Sequence, residues 1–151
     1  MAASASQSRA VQSRGSQSRS DLLAAAAALA GHADSERVRR YLDRYYKHVA
    51  DEDLLLRRPE DVLGAAASQR ELAAERPAGR ANVRVFTPTV DEHGWSTGHT
   101  IVEIVTDDMP FLVDSVTAEL SKGDHALHLV VHPQVVARRD VEGHLLELLD
   151  S

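Results

Sequence analysis

The stretch TIVEIVTDDMPFLVDS, residues 100–115, is the part of the sequence that best predicts a fold. Its first seven residues are mostly β-branched and include one charge, a pattern typical of a largely buried strand. Asp108 can then cap a helix with Pro110 in its first turn, because proline has no amide to leave unpaired there. Helical spacing follows at Leu112, Val113, Val116 and Leu120. The stretch therefore predicts a strand that turns directly into a helix.

This strand-to-helix turn is a candidate ligand site. Free backbone amides at a helix N-terminus attract carboxylates, and small ligands tend to bind at the carboxyl ends of strands. Asp107 and Asp108 would repel an anion but attract an ammonium group, so the turn suits an amino-acid zwitterion better than a phosphate. A structural interpretation is also open, since helix electrostatics favours aspartates such as Asp107, Asp108 and Asp114 near a helix start without any ligand.

The composition indicates one acidic domain of 151 residues. Lys and Arg number 17, and three of these arginines lie in the first 20 residues, which leaves 14 basic against 23 acidic residues in the remainder. Such an acidic body argues against a nucleic-acid partner. The absence of cysteine excludes disulfides and thiolate chemistry, and no apolar run approaches the ~18 residues of a membrane span. We therefore predict a cytoplasmic protein without membrane association.

The first 79 residues divide into a tail and a group of helices. Residues 1–20 repeat Gln-Ser-Arg three times and are rich in Ser, Arg and Ala. We predict a disordered tail there, because a transit peptide of this composition would also need an apolar helical face. Residues 21–79 are predicted to form a helical subdomain. The predicted helix starts are Asp21, Asp34 or Ser35, and Pro59.

The second predicted helix has an apolar stripe that includes every tyrosine of the chain. The stripe consists of Val38, Tyr41, Leu42, Tyr45, Tyr46 and Val49. Either it packs the helix onto the rest of the domain, with the hydroxyls at the rim, or it forms a partner surface. Packing is the more common arrangement, because exposed aromatic patches are unusual on monomers.

After a hinge at residues 77–81 the pattern changes to strands. The predicted strands are residues 83–86, 100–106, 126–131 and 135–137. Apolar residues continue at 145–149, and no second helix is available to cover the sheet, so residues 82–151 are predicted to form a truncated α+β domain. Glu103 is a lone charge inside the central strand, and we expect it at an edge, on an exposed sheet face or at a partner surface.

No complete catalytic constellation is present in the sequence. The chain lacks a nucleophile elbow, a dinucleotide-binding glycine motif and a phosphate-binding loop. His128 and His132 share a strand face but lie ~13 Å apart at ~3.3 Å per residue, and His125 points to the opposite face, so this spacing does not favour a metal. We therefore expect no catalytic residue, no bound metal and no cofactor site in this chain.

The residues Asp108-Met109-Pro110-Phe111-Leu112-Val113 resemble the strand-to-helix motif of ACT domains, which is D-x-P-G followed by two apolar residues. ACT domains are small ferredoxin-like βαββαβ regulatory modules that bind amino acids at this turn. The resemblance implies an effector site at Asp108, Met109, Pro110, Phe111 and Leu112. Phe111 stands where the amino-acid-binding members have glycine, and its ring is large enough to fill the ligand space. The turn then serves either effector binding or packing between domains or subunits.

A wider resemblance extends over residues 35–140. Its motifs are DRYYKHV at 43–49, RVFTP at 84–88, EHGW at 92–95, the stretch 100–116, and HP at 132–133 followed by RRD at 138–140. In this order they resemble the N-terminal region of the large bacterial NAD-specific glutamate dehydrogenases. The expected fold is then α+β, with an N-terminal helical bundle followed by an incomplete ACT-like unit of sheet and helix.

This resemblance implies a much longer parent polypeptide, in which ACT-like domains precede a dehydrogenase core. That core oxidises L-glutamate to 2-oxoglutarate and ammonia with NAD, and family members form homo-oligomers. The chain would be a regulatory and assembly segment without activity of its own. Its implied partners are the downstream dehydrogenase domains, further copies of the chain and an amino-acid effector. The alternative is a free-standing ACT-like amino-acid sensor or protein-interaction module.

Overall fold

A computed structural model describes residues 17–149, and these residues form a mixed α+β structure in agreement with the predicted fold class. In chain order the elements are α1 (Arg19–Ala28), α2 (Ser35–Tyr45), α3 (Asp51–Leu54), α4 (Pro59–Ala73), β1 (Asn82–Phe86), α5 (Val90–His93), β2 (Ile101–Val105), α6 (Leu112–Ser121), β3 (Val136–Arg139) and β4 (Leu145–Leu149). None of these helices has the length and apolar character needed to cross a membrane.

Helix α1 begins earlier than the sequence pattern predicted. Ser18 is its N-cap, because Ser18 Oγ accepts from the Asp21 N–H at 3.1 Å and the Asp21 carboxylate accepts from the Ser18 N–H at 3.1 Å. Asp21 is therefore the third helical residue of a capping box, and its prediction as the cap was wrong. The predicted boundary of the tail at residue 20 is too far along the chain, since Arg19 and Ser20 are helical. The rest of the predicted tail, residues 1–16, lies outside the described part of the chain.

The hydrophobic core lies between helices α1 to α4. Its buried residues are Leu22, Leu23, Ala26, Ala27, Leu42, Tyr46, Val49, Leu54, Val62 and Ala66. The Tyr46 hydroxyl donates to the Val62 carbonyl at 2.8 Å, and the Tyr41 hydroxyl donates to the Ala66 carbonyl at 3.3 Å. Burial raises the pKa of Tyr41 to about 12. The tyrosine stripe packs α2 onto its neighbours, which confirms the packing interpretation, but the Tyr46 hydroxyl is buried and does not lie at the rim.

Strands β1 and β2 form an antiparallel hairpin whose polar face turns toward α4. Arg84 lies opposite Glu103 in the ladder, and Glu103 is only 4% exposed. The expectation of an exposed sheet face or a partner surface was therefore wrong, whereas the alternative of an edge position holds, because both strands of a two-stranded sheet are edge strands. The interior accepts this carboxylate because Arg84 and the Ser68 hydroxyl of α4 both donate to it. The other face of the hairpin is apolar and exposed.

Helix α6 begins at Leu112, and Phe111 is its N-cap residue in the left-handed region at φ 61°. Asp108 and Pro110 precede the helix, so the prediction that Asp108 caps it with Pro110 in the first turn was wrong. The Asp108 side chain instead accepts from Gln134 Nε2 at 3.2 Å. None of the residues of α6 is buried.

The predicted strand at residues 126–131 is not formed. Leu129 and Val131 pack against the helical core, as their alternation suggested, but this segment has no ladder partner among the described residues. β3 and β4 form a second antiparallel hairpin, separate from β1 and β2. The sheet part of residues 17–149 is thus two hairpins, and the arrangement of a helical bundle followed by an incomplete ACT-like unit stays a prediction.

The carboxyl end of α4 anchors both hairpins. Asn82 Nδ2 at the start of β1 donates to the Leu72 carbonyl at 3.0 Å. Arg139 Nη1 at the end of β3 donates to the Ala73 carbonyl at 2.7 Å. These bonds satisfy carbonyls that the end of a helix leaves without an intrahelical partner. These two bonds hold the start of β1 and the end of β3 at the carboxyl end of α4.

Candidate functional site

The turn between β2 and α6 borders a cleft of about 500 Å³, which we call the turn cleft. All five residues predicted as an effector site line it: Asp108, Met109, Pro110, Phe111 and Leu112. Four further residues line it, namely Val113, Asp114, His132 and Gln134, of which the sequence analysis had named Asp114 only as an aspartate near the helix start. The first two follow directly in the sequence. His132 and Gln134 reach the turn only through the fold, and no local pattern placed them there.

The three aspartates of this region have different partners. Asp107 Oδ1 accepts from Arg76 Nη2 at 2.6 Å, and the Arg76 side chain is only 11% exposed. Asp107 thus ties the end of β2 to the segment after α4 and does not line the cleft. Asp108 and Asp114 supply the negative charge at the cleft, beside the free amides in the first turn of α6. This arrangement provides donors for a carboxylate and acceptors for an ammonium group.

Phe111 lines the turn cleft and has an unusual backbone conformation. Its φ of 61° lies where glycine is favoured, because a Cβ is crowded in this conformation. The ring is 77% exposed, so it does not fill a buried space. The backbone at this position therefore adopts the conformation that suits the glycine of the ACT motif, although the residue is phenylalanine.

Two histidines that the sequence left without a role contact each other. The rings of His99 and His128 stack, with centroids 3.9 Å apart and 15° between their planes. This contact joins the loop before β2 to the extended segment at 126–131. In two stacked, nearly parallel rings the nitrogens do not point toward a common position, so the pair does not suit a metal ion.

A cluster that sequence reasoning missed occurs at the turn between β3 and β4. Asp140, Glu142 and His144 have potential ligand atoms within 4.8 Å of one another. Hydrogen bonds explain the cluster: Asp140 Oδ1 accepts from the amides of Glu142 and His144, each at 2.9 Å, and Asp140 Oδ2 lies 2.9 Å from His144 Nδ1. The bond to Asp140 raises the pKa of His144, and bonds from His144 lower the pKa of Asp140. The cluster shapes the turn, and the sequence DVEGH is its local signal.

A second cleft, of about 720 Å³, lies between α4, β1 and the segment after α5. We call it the Trp95 cleft, and its lining includes Gly64, Glu71, Arg84, Phe86, His93 and Trp95. Trp95 is 7% exposed and lies directly against α4, where a Cβ on Gly64 would be only 2.1 Å from Trp95 Cγ. Gly64 is therefore the residue that lets the indole pack against this helix.

Comparison with known proteins gives the chain a family. The family model of the glutamate dehydrogenase ACT1 domain matches residues 41–151. The chain belongs to this family. The resemblance that the sequence motifs indicated is therefore confirmed. The matched part of this ACT1 chain includes the turn cleft and both hairpins, and it begins inside α2.

Two curated relatives support the same assignment. An NAD-specific glutamate dehydrogenase of Pseudomonas aeruginosa is 32% identical over 125 residues, which cover 81% of the ACT1 chain and 8% of the relative. An NAD-specific glutamate dehydrogenase of Halomonas elongata is 37% identical over 101 residues, which cover 67% of the chain and 6% of the relative. The chain thus spans less than a tenth of the length of these relatives. No solved structure matches it.

Proposed function

We propose that this ACT1 segment is part of a long NAD-dependent glutamate dehydrogenase, in which it serves regulation and assembly without catalysing the reaction. The parent enzyme would convert L-glutamate, NAD and water to 2-oxoglutarate, ammonia and NADH. The observation that carries this proposal is the family match over residues 41–151, together with two relatives named NAD-specific glutamate dehydrogenase. NAD would bind in the downstream dehydrogenase domains, because no nucleotide-binding motif occurs in this segment.

The regulatory part of the proposal is an amino-acid effector in the turn cleft, held by residues 108–112. A volume of about 500 Å³ falls in the usual range of small-molecule sites. The free amides at the start of α6 suit a carboxylate, and Asp108 and Asp114 suit an ammonium group. The exposed ring of Phe111 leaves the backbone of the turn open to such a ligand.

The assembly part of the proposal rests on apolar surface that the described residues leave uncovered. Val83, Val85 and Val102 on the outer face of the β1–β2 hairpin are 60%, 61% and 36% exposed. Helix α6 buries none of its residues. Contiguous exposed apolar surface marks contact sites on proteins. We propose that the downstream domains or another copy of the polypeptide cover it. The alternative, a free-standing sensor or interaction module, requires no such cover.

The test uses the intact polypeptide that contains this segment and measures NADH formation from L-glutamate and NAD. We expect turnover by the intact polypeptide and none by residues 1–151 alone. Deletion of residues 17–149 should change both the response to added amino acids and the molecular mass of the assembly in light scattering. Glu36→Gln, an exposed change on α2, is the control and should alter neither.

Two results would contradict different parts of the proposal. An intact polypeptide without glutamate-dependent NAD reduction would refute the dehydrogenase assignment. An active polypeptide whose assembly and amino-acid response both survive the deletion would refute the regulatory and assembly role and leave the enzyme assignment standing.

A further inference from the structure

The Trp95 cleft is separate from the turn cleft, since the two share no lining residue. Its volume of about 720 Å³ is within the ~300–1,000 Å³ of typical small-molecule sites. Its walls belong to α4 and β1, which the Arg84, Glu103 and Ser68 hydrogen bonds hold together. The cleft is therefore framed by ordered elements rather than by a loop alone.

Arg84 and Glu71 place opposite charges side by side at this cleft. Arg84 Nε and Nη2 donate to Glu103 Oε2 at 3.0 and 2.8 Å, which fixes the guanidinium. Arg84 Nη1 lies 3.8 Å from Glu71 Oε2, beyond hydrogen-bond length. The Arg84 side chain is 33% exposed and that of Glu71 is 79% exposed. The fixed guanidinium thus keeps Nη1 in a loose ion pair, without a hydrogen bond, with an exposed carboxylate.

This pair matches the charges of an α-amino acid, whose carboxylate and ammonium groups are attached to one carbon. The ligand carboxylate would accept from Arg84 Nη1, and the ammonium would donate to Glu71. A phosphate fits less well, because Glu71 and Glu60 on the same cleft repel its additional negative charge.

Three rings provide an apolar wall for the ligand side chain. The ring centroids of Phe86, His93 and Trp95 are 5.3 to 6.5 Å apart, with Phe86 and Trp95 edge to face. His93 Nδ1 accepts from the Thr89 N–H at 3.1 Å, which fixes the orientation of the imidazole. Rings held at such distances form a surface on which an aliphatic or aromatic side chain packs.

We propose that the Trp95 cleft binds a free α-amino acid with an apolar side chain, with its carboxylate on Arg84 and its ammonium on Glu71. The Phe86, His93 and Trp95 wall contacts the ligand side chain. This site goes beyond the proposed function, which places an effector at the turn cleft. Its test does not depend on whether an effector binds at the turn cleft.

Trp95 makes the binding directly measurable, because it is the single tryptophan of the chain. The full chain is titrated with L-phenylalanine while Trp95 fluorescence is followed. Two analogues test the charge recognition: 3-phenylpropionate lacks the ammonium group, and 2-phenylethylamine lacks the carboxylate. We expect a saturable change with L-phenylalanine and binding of each analogue weaker by about tenfold or more, the effect of losing one charge-assisted hydrogen bond.

Glu71→Gln tests the assigned ammonium partner. Because the Glu71 side chain is 79% exposed, the variant should fold normally. We expect it to bind L-phenylalanine about tenfold more weakly and to bind 3-phenylpropionate no more weakly, because the variant removes a charge that repels this anion. Glu36→Gln, also an exposed helical glutamate, is the matched control and should leave both affinities unchanged.

Three results would overturn the proposal. These are no saturable response to L-phenylalanine, equal affinities for the amino acid and its analogues, and unchanged affinity in Glu71→Gln. Asp108→Asn separates the two clefts and should leave the fluorescence titration unaffected. If Asp108→Asn abolishes the response while Glu71→Gln does not, the amino acid occupies the turn cleft and the Trp95 cleft assignment is wrong.

Discussion

Arg84 and Glu103 face each other across the β1–β2 ladder, and Arg84 Nη2 lies 2.8 Å from Glu103 Oε2. Ser68 on α4 completes the contact, because its hydroxyl donates to Glu103 Oε1 at 2.5 Å and its carbonyl accepts from Arg84 Nη2 at 2.7 Å. One buried carboxylate therefore links both strands of the hairpin to the longest helix described. The same contact fixes the guanidinium that borders the Trp95 cleft.

Replacing only the arginine of this ion pair should lower the free energy of unfolding more than replacing both charged residues. We expect Arg84→Met to lower the free energy of unfolding by about 2–4 kcal/mol, because Glu103 is left buried with a charge and only Ser68 as a partner. Adding Glu103→Leu removes that charge and should restore most of the loss. Urea unfolding followed by circular dichroism measures both variants. Losses that simply add in the double variant would contradict the coupling.

Replacing Gly64 with alanine should destabilise the chain, whereas the same change at an ordinary helical glycine stabilises it. Alanine usually stabilises a helix interior by about 1 kcal/mol relative to glycine. At Gly64 we expect a loss of about 1–3 kcal/mol and a red shift of Trp95 emission, because overpacking at a contact of 2.1 Å must displace the indole. Urea unfolding checks the sign. In a Trp95→Ala background, where the Cβ has room, the same change should stabilise the chain.

Phe111 should store backbone strain that glycine relieves. Phe111→Gly and Phe111→Ala both remove an exposed ring, but only glycine adopts a φ of 61° without crowding. We therefore expect Phe111→Gly to be more stable than Phe111→Ala by about 1 kcal/mol in urea unfolding. Equal stabilities would show that the left-handed conformation costs nothing in this turn.

The stability of the β3–β4 turn should depend on pH through Asp140 and His144. The raised pKa of His144 means that its contribution is complete below its ordinary value of 6.5 and is lost as pH rises through the raised value. The lowered pKa of Asp140 means that its contribution is complete above its ordinary value of 3.8 and is lost as pH falls through the lowered value. The turn should therefore be most stable between these two ordinary values.

Nuclear magnetic resonance titration of the His144 ring measures this coupling. We expect a midpoint above 6.5 that moves back toward 6.5 in Asp140→Asn, whose amide oxygen can still accept from the turn amides. Glu36→Gln, an exposed change on α2, is the control and should leave the His144 midpoint in place. A His144 midpoint that Asp140→Asn leaves in place would show that the carboxylate does not set the pKa.

The elements that were predicted correctly are those whose sequence signal lies within a few neighbouring residues. Pro59 begins α4 as expected, because a proline without an N–H suits the first helical turn. The strands at β1 and β2 follow from alternation and β-branched residues. The start of α1 was missed although its signal is local, since Ser18 and Asp21 form a capping box in the sequence.

The turn cleft contains both residues that a local motif predicted and residues that only the fold brings to it. Residues 108–112 were predicted from a contiguous motif, and they do line one cleft. His132 and Gln134 could not be predicted there, because they reach the turn only when the chain after α6 folds back. The strand expected at 126–131 failed for a related reason, since alternation predicts which side chains are buried but not whether a ladder partner is adjacent.

The sequence by itself determined the family, the main helices, the two strands β1 and β2, and that a turn into a helix follows β2, because motifs and periodicity act over a few neighbouring residues. The tertiary structure alone decided the environment of Glu103. From its neighbours in the strand this glutamate was expected at an edge, on an exposed sheet face or at a partner surface, since a lone carboxylate is costly to bury. Arg84 and Ser68, 19 and 35 residues away in sequence, surround it with donors, and that compensation turns an exposed charge into a buried link.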